Sequence, residues 1–375
     1  MSPDDSIVGL KPESQDLAAL ILAAGKGTRM RSEKPKVLHE LMGRPLIAHL
    51  LNAVRYLNPK FLVVVTGYGA EEVEQAVASF QPIFVRQPKM LGTGHAVSCA
   101  AEVLSAHRGP VVILPGDAPL ISPQTLLDFT DAHRFAGADL SVLTVRLAQP
   151  GSYGRIVRDR FGWIERIVEA RDATERELAI DEINSGFYIV DGPALFEAIS
   201  SLKPDNDQKE YYLTDVVAEF RQRGLLAAAI EGPDPLEIQG VNDRRDLATA
   251  QNILKNRIND SWLTAGVTMI DPEATYIEPK VRLAKDVVLW PGVILTGSTT
   301  VGEGAFIGPY SFLKDCRVEP RAQVSAHQNL IGVIVESPET QNKEKAPLGQ
   351  KKTLNNSSSC SLRAPKTAKK NKNNT

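Results

Sequence analysis

The sequence predicts an α/β protein in which a mostly parallel sheet, covered by helices on both faces, is followed by a short parallel β-helix. Two patterns in its 375 residues carry that reading. From Leu17 to about residue 250, short apolar runs alternate with stretches of helical spacing, the order expected of strands and crossover helices in a parallel sheet. From Ile277 to Leu330, aliphatic residues recur at a six-residue period. That period does not suit an α-helix. It suits a solenoid whose short strands each turn one aliphatic side chain inward.

The first pattern can be followed along the chain. "LAALILAA" (17–24) reads as a buried strand, and "PLIAHLLNAVRYL" (45–57) as a helix with Pro45 at its first position. "FLVVVTG" (61–67) is a second strand and "AEEVEQAVASF" the helix after it. "PIFVRQ" and "VVIL" (111–114) continue the strands, with a helical "GHAVSCAAEVL" between them. Ligands of such sheets bind outside the carboxyl ends of the strands. This region is expected to form one domain over 17–250, behind a disordered arm at 1–16, with a helical linker at 251–268.

The second pattern runs through Ile277, Leu283, Leu289, Leu295, Val301, Ile307 and Leu313. Two positions before the last six stand Val281, Val287, Val293, Thr299, Ala305 and Ser311, all small or β-branched. After a one-residue slip the period resumes at Val318, Val324 and Leu330. With three rungs to a coil, a β-helix of about three coils is expected over 269–333. Its last coil would leave an open edge, which invites pairing. From residue 334 the chain becomes polar and free of aromatics, and a disordered basic tail is expected to residue 375.

Formal net charge is −2, but residues 341–375 carry nine basic residues against one acid. The body, 1–340, therefore holds 34 basic and 44 acidic residues, which argues against nucleic acid as a partner. The basic tail has no interleaved aromatics and reads as solvated. Cys99, Cys316 and Cys360 lie far apart without CxxC spacing, so neither a disulfide framework nor a zinc site is implied. No apolar run approaches the ~18 residues that span a bilayer. A soluble, cytoplasmic protein without membrane partners is expected.

The chemistry begins in "ILAAGKGTRMRSEKPK" (21–36), where an apolar strand stops at two glycines and five cations follow. A Walker A loop fails because Gly25-Lys26 is followed by Gly27, and a dinucleotide fingerprint fails because its third glycine is Met30. What remains is a glycine turn with Lys26, Arg29, Arg31, Lys34 and Lys36. Backbone N–H groups in such a turn can face phosphate oxygens, while Arg offers a fork and Lys a point charge. An ordinary basic surface loop is the competing reading.

"LAAGKGTRMRSEKPKVL" resembles the signature loop of sugar-nucleotide pyrophosphorylases. Further blocks follow in order: "QPKMLGTGHAV", "PGDAPLI", "GSYGRIV", "IVEARDAT", "EINSGFY", "EYYLTDV" and "GVNDRRDL". Together they resemble the bifunctional N-acetylglucosamine-1-phosphate uridyltransferase / glucosamine-1-phosphate acetyltransferase family (GlmU), over about residues 17–330. The resemblance implies a Rossmann-like nucleotidyltransferase domain and a left-handed form for the β-helix. It also implies a reaction of UTP with N-acetylglucosamine 1-phosphate that yields UDP-N-acetylglucosamine and diphosphate.

By the same resemblance, Leu22, Ala23, Ala24 and Gly25 meet the nucleotide, and Arg29 and Lys36 are cations near its phosphates. Gln87, Gly92 and Thr93 match uracil-reading positions. Asp117 and Asn242 match the pair that holds Mg²⁺, a hard ion suited to a few oxygen ligands plus phosphate and water, and Gly116 and Asn242 are also substrate-binding positions. Alone, Asp117 reads as a turn residue and Asn242 as a helix N-cap. Gly154, Glu169 and Asn184 correspond to the sugar pocket, and Tyr212 and Thr214 to its acetamide side. Arg29, Lys36 and Asp117 are the expected catalytic residues.

Three departures stand out. A family glutamine falls on Met90, a frequent tyrosine falls on Pro115, and the later coils that carry acceptor and coenzyme-A residues have no counterpart. Uridyl transfer without acetyl transfer is therefore expected, with a weak homotrimer assembled through the short β-helix. His39, His49 and His95 read as packing or surface residues, because the attacking phosphate is already an anion. The alternatives are a related enzyme of UDP-glucose or dTDP-glucose type, or a non-catalytic sugar-nucleotide-binding scaffold.

Overall fold

In the computed structural model the described residues are 15–337 and 362–363. They fall into two compact units that divide between residues 250 and 251. The arm expected over 1–16 and the tail expected over 334–375 lie outside the described residues, except for Gln15, Asp16, 334–337 and 362–363.

The first unit begins with β1 (Gln15–Ala23), a hairpin of β2 (Glu40–Leu41) and β3 (Arg44–Pro45), and α1 (Leu46–Val54). Pro45 closes the hairpin and immediately precedes the helix, one position earlier than the sequence suggests. There follow β4 (Pro59–Thr66), α2 (Ala70–Val77), β5 (Ile83–Arg86), α3 (Thr93–Ser98), β6 (Pro110–Pro115), α4 (Pro123–Ala136) and β7 (Leu140–Arg146). The helix expected over "GHAVSCAAEVL" stops at Ser98 and continues as turns. The unit closes with β8 (Arg155–Arg158), β9 (Ile164–Val168), α5 (Glu175–Leu178), β10 (Glu182–Asp191), α6 (Gly192–Ser201), α7 (Asp215–Gln222) and β11 (Ala227–Glu231).

The main sheet has the order β11-β7-β10-β6-β1-β4-β5, with β8 and β9 attached beside β10. β10 alone on this path runs antiparallel to its neighbours β6 and β7. Alternate residues of β1 feed the cores on its two faces. Leu17, Ala19 and Ile21 pack with Leu50 of α1 and Phe129 of α4. Ala18 and Leu20 pack with Ala96 of α3, Leu195 of α6 and Val216 of α7. Such two-sided burial produces the near-continuous apolar runs seen in the sequence.

A long helix, α8 (Arg244–Thr264), leads into the second unit. Its start is capped by Asp243, whose Oδ1 accepts from the backbone N–H groups of Arg245 and Asp246. The Asp246 carboxylate accepts in turn from the N–H groups of Asn242 and Asp243. Capping therefore falls to Asp243, and the Asn242 side chain is spent elsewhere.

The second unit is a left-handed parallel β-helix of twelve short strands, β12 (Thr268–Met269) through β23 (Ile334–Val335). They stack as three parallel faces, each with one strand from every turn. Four strands to a face make four turns where the hexads suggest about three. Met269 and Val335 supply the missing rungs, displaced by an eight-residue and a five-residue step from Ile277 and Leu330. All twelve inward residues from Met269 to Val335 are buried. Within this unit the end of α8 covers the first turn. Asn259 Nδ2 donates to the carbonyls of Pro272 (2.8 Å) and Thr275 (3.0 Å), and Trp262 is buried. At the far end β24 (Leu362–Arg363) pairs antiparallel with β23, so 334–335 and 362–363 are strand where disorder is expected.

Candidate active site

A cavity of about 430 Å³ opens at the carboxyl ends of β1, β5 and β6. The chain leaves β1 through Leu22, Ala23, Ala24 and Gly25, all of which line it. A Cβ on Gly25 would meet nothing within 4 Å, so this glycine presents bare backbone to the open space. Gly27 has φ +66°, and a Cβ there would come to 2.5 Å from the Lys36 Cβ. Only glycine serves at 27, and its close approach places the Lys36 stem. Buried Met30 anchors the loop between them.

The five loop cations have separate fates. Lys26 lies over the Tyr68 ring at 5.1 Å, Lys34 faces Glu40 at 3.7 Å, and Arg31 is exposed. Lys36 lines the cavity, and Arg29, itself exposed, reaches the same corner. Lys36 Nζ pairs with the Asp117 carboxylate and stands 3.5 Å from Asn242 Oδ1. Arg29 Nη2 donates to the same oxygen at 2.9 Å. Asp117 lies just past the end of β6, where Gly116 N donates to Leu22 O at 2.9 Å and locks the two strand ends together. Val241 N donates to Asp117 O at 2.8 Å, which brings the segment holding Asn242 to the same corner. Two cations and two oxygen donors converge there from three distant parts of the chain.

The opposite wall is built by two strips of backbone. Tyr211 N donates to Leu91 O, and Gly94 N to Tyr211 O, each at 2.8 Å. Leu213 N donates to Thr93 Oγ1 at 3.0 Å. Gly92 has φ +103°, and a Cβ would sit 2.5 Å from Tyr211 O, so the strips meet only at glycine. Gln87 is buried at the end of β5 and lines the cavity; its Nε2 donates to Gly92 O (3.1 Å) and to His95 Nδ1 (2.9 Å). Met90 also lines the cavity, with its methyl against Gly67.

Glu169, Asn184 and Thr214 line the remaining side. Asn184 N donates to Gly154 O, and Asn184 Oδ1 accepts from Gly186 N, both at 2.9 Å. A Cβ on Gly154 would come to 3.2 Å from the Ile167 Cγ2 and into ordinary contact with Glu169 Oε1 (3.5 Å) and the Asn184 Cβ (3.6 Å), so Gly154 lies directly against these side chains. Burial pushes the Glu169 carboxyl up, and the nearby Asp172 and Asp215 add to the effect. Burial, then Asp172 and Glu219, pushes Asp215 up to about 6. This flank is short of positive charge. It suits neutral hydroxyls better than phosphate.

Twelve of the residues selected from the sequence line the cavity: Leu22 to Gly25, Lys36, Gln87, Gly92, Thr93, Asp117, Glu169, Asn184 and Thr214. Arg29 and Asn242 stand behind Lys36, and Gly116 and Gly154 support the wall from outside the lining. Tyr212 is buried and not in the lining; its hydroxyl accepts from Gln208 Nε2 at 2.8 Å. Sequence reading missed Val37, Ala96, Gly186, Tyr188, Glu210 and Leu213, which with Met90 and Pro115 complete the lining, and the contact of His95 with Gln87. Tyr188 and Thr214 share a further feature: both hydroxyls are buried, near Asn184 and Glu169 respectively, and neither completes a well-formed hydrogen bond among the described residues.

Residues 19–209 match the MobA-like NTP transferase domain. The chain is 44% identical over 321 residues to the bifunctional protein GlmU of Geotalea uraniireducens, covering 85% of this chain and 70% of that protein. It is 41% identical over 317 residues to the bifunctional protein GlmU of Halalkalibacterium halodurans, with 84% and 70% covered. It thus spans about two thirds of the length of such relatives. A solved UDP-glucose pyrophosphorylase in complex with UDP-glucose superposes with a TM-score of 0.52 at 22% identity, over 63% of this chain and 97% of that one. At that identity the likeness speaks for the fold. The sequence relatives and the domain match go further: the chain belongs to the GlmU family, and its first unit is a nucleotidyltransferase.

Proposed function

We propose that the protein is a UDP-N-acetylglucosamine pyrophosphorylase, joining UTP to N-acetylglucosamine 1-phosphate and releasing diphosphate. In this reaction a phosphate oxygen of the sugar phosphate forms a bond to the α-phosphorus of UTP as the bond to the leaving diphosphate breaks. No general base is required, because the nucleophile is already anionic. Catalysis then consists of alignment and of positive charge where negative charge gathers. The observation that carries this reading is the convergence of Lys36, Arg29, Asp117 and Asn242 beside a glycine turn. Lys36 and Arg29 would exchange their contacts with Asp117 and Asn242 for phosphate oxygens. The strip at Gln87 to Thr93 would take the base. The flank at Glu169, Asn184 and Thr214 would take the sugar.

A divalent ion fits the Asp117–Asn242 corner. Both residues offer hard oxygen donors, and Lys36 Nζ contacts both. The described residues hold no cluster of three or more His, Cys, Asp or Glu for an all-protein cage. Mg²⁺ suits this sparse set, because it usually keeps waters and takes its remaining oxygens from phosphates. Bound there, it would supply charge stabilisation to the phosphates.

We extend the proposal to uridyl transfer without acetyl transfer, which acetyl-CoA consumption tests directly. A weak homotrimer through the β-helix is proposed with it. Among the described residues no helix is long and apolar enough to cross a membrane. The deciding experiment measures diphosphate release with Mg²⁺ across UTP, dTTP and CTP, each with N-acetylglucosamine 1-phosphate and glucose 1-phosphate, and acetyl-CoA consumption with glucosamine 1-phosphate. Diphosphate release highest with UTP and the acetylated sugar is expected. Preference for glucose 1-phosphate would favour the UDP-glucose or dTDP-glucose type, and no release with any pair would favour a binding scaffold.

A further inference from the structure

We propose that His95 is a positioning residue that sets the base preference of the nucleotide pocket by holding the Gln87 amide in one orientation. The proposal rests on the nucleotidyl-transfer reading above and assigns a role to a side chain that reads from sequence as a packing or surface residue. Gln87 is 4% exposed, and its backbone N–H is tied to Thr66 O at 2.7 Å. Its side-chain nitrogen donates both hydrogens inward, one to Gly92 O at 3.1 Å and one to His95 Nδ1 at 2.9 Å. A backbone carbonyl can only accept, so the amide atom facing Gly92 must be nitrogen. His95 Nδ1 must then be the bare ring nitrogen, with the proton of the neutral ring on Nε2.

One amide atom is left over. The Gln87 oxygen accepts no hydrogen bond among the described residues, and Gln87 lines the cavity. The pocket therefore meets an acceptor at this position. A ring N–H flanked by carbonyls, as in uracil, pairs with it. The corresponding ring nitrogen of cytosine carries a lone pair and would leave two acceptors facing each other, each unpaired. The surroundings hold the arrangement in place. Gly92 O is fixed by Ala96 N at 3.1 Å, and the Tyr211 ring lies beside His95 with centroids 6.5 Å apart. Without an acceptor at 95, Gly92 holds one amide hydrogen alone, and the side chain is free to swing.

The test is the ratio of UTP to CTP affinity, measured by titration calorimetry on the full chain with Mg²⁺. His95→Ala is expected to shrink the wild-type preference by about tenfold, chiefly by weakening UTP, as suits the loss of one orienting hydrogen bond. His95→Asn, whose side-chain oxygen can take the place of Nδ1, is expected to restore most of it. A folded His95→Ala protein with the wild-type ratio would overturn the proposal and leave the nucleotidyl-transfer reading intact. Failure of the wild-type protein to bind UTP would sink both. A second measurement needs no variant: ¹⁵N chemical shifts of the His95 ring at alkaline pH are expected to show Nδ1 unprotonated and Nε2 protonated, and the opposite tautomer would overturn the proposal even if His95→Ala did not fold.

Discussion

Lys36 and Asp117, 81 residues apart in sequence, form an ion pair at the edge of the cavity, and Lys36 Nζ stands 3.5 Å from Asn242 Oδ1. The pair gives the proposed phosphate corner a charge of each sign. On the proposed function Lys36 would turn to a polyphosphate, and Asp117 would be among the residues that hold a divalent ion, which supplies charge stabilisation.

Asp117→Ala is accordingly expected to lower turnover by roughly a hundredfold or more, the scale of losing a charge stabiliser of the transition state. Asn242→Ala should act in the same direction. Steady-state diphosphate release at limiting Mg²⁺, with unfolding curves for both variants, checks this. Near-normal turnover in a folded Asp117→Ala protein would remove Asp117 from the metal corner.

The flank at Glu169, Asn184 and Thr214 leads to a prediction about sugar choice. A site that hydrogen-bonds a substrate group penalises the analogue lacking it, because buried polar atoms are then left unpaired. N-acetylglucosamine 1-phosphate is expected to exceed glucose 1-phosphate by at least about tenfold in kcat/KM. Equal values for the two sugars would refute the acetamide pocket.

Asp215 provides a pH test. Its folded-state carboxyl titrates at about 6 against an ordinary 3.8, with burial the largest cause. Between those values the folded protein holds a proton that the unfolded chain has released. This contribution to stability is full below about pH 4, is lost as pH rises to about 6, and stays lost above. Asp215→Asn is expected to gain about 1–3 kcal/mol at pH 7.5 and almost nothing at pH 4. Urea unfolding at the two pH values decides it, and a variant less stable than wild type at pH 7.5 would contradict the account.

Glu182 works in the opposite sense. It is buried between β7 and β8, where it accepts two hydrogen bonds from Arg158 (2.8 and 2.6 Å) and one from Thr144 (2.8 Å). Burial alone would push its carboxyl up, but the bonds from Arg158 and Thr144 outweigh it and hold the carboxyl below the ordinary value. Its contribution is present above the usual glutamate range and is lost as pH falls through the folded value. Glu182→Gln is expected to cost about 2–3 kcal/mol at pH 7, discounted because Arg158 is partly exposed. A lower urea midpoint at unchanged slope would show it.

The β-helix carries exposed apolar residues, among them Trp290, Ile294, Tyr310 and Ile331. A monomer–trimer equilibrium is expected, visible by sedimentation over a hundredfold range of protein concentration. A strict monomer throughout would sink the assembly proposal and leave the catalytic reading untouched.

Much of this protein is legible along the chain because its rules are local. Strand–helix alternation shows a two-sided sheet, and the hexads from Ile277 to Leu330 show a β-helix, since one period places one side chain inward. The glycine turn marks one corner of the cavity by a local rule, whereas most of the rest of the wall is picked out by the resemblance that the motif blocks carry. The missed rungs at Met269 and Val335 fall where the period breaks, and no local rule marks them. Tertiary structure decided what depends on approach between distant segments. It supplied the physical reason that sets Lys36 and Arg29, already singled out by the family resemblance, apart from Lys26, Arg31 and Lys34: only the first two meet Asp117 and Asn242. It gave the cap of α8 to Asp243 and freed Asn242 for the site. It also brought His95 Nδ1 within 2.9 Å of Gln87, a contact that depends on the angle between the end of β5 and α3. A hydrogen bond requires a distance and a direction, and those exist only once the chain has folded.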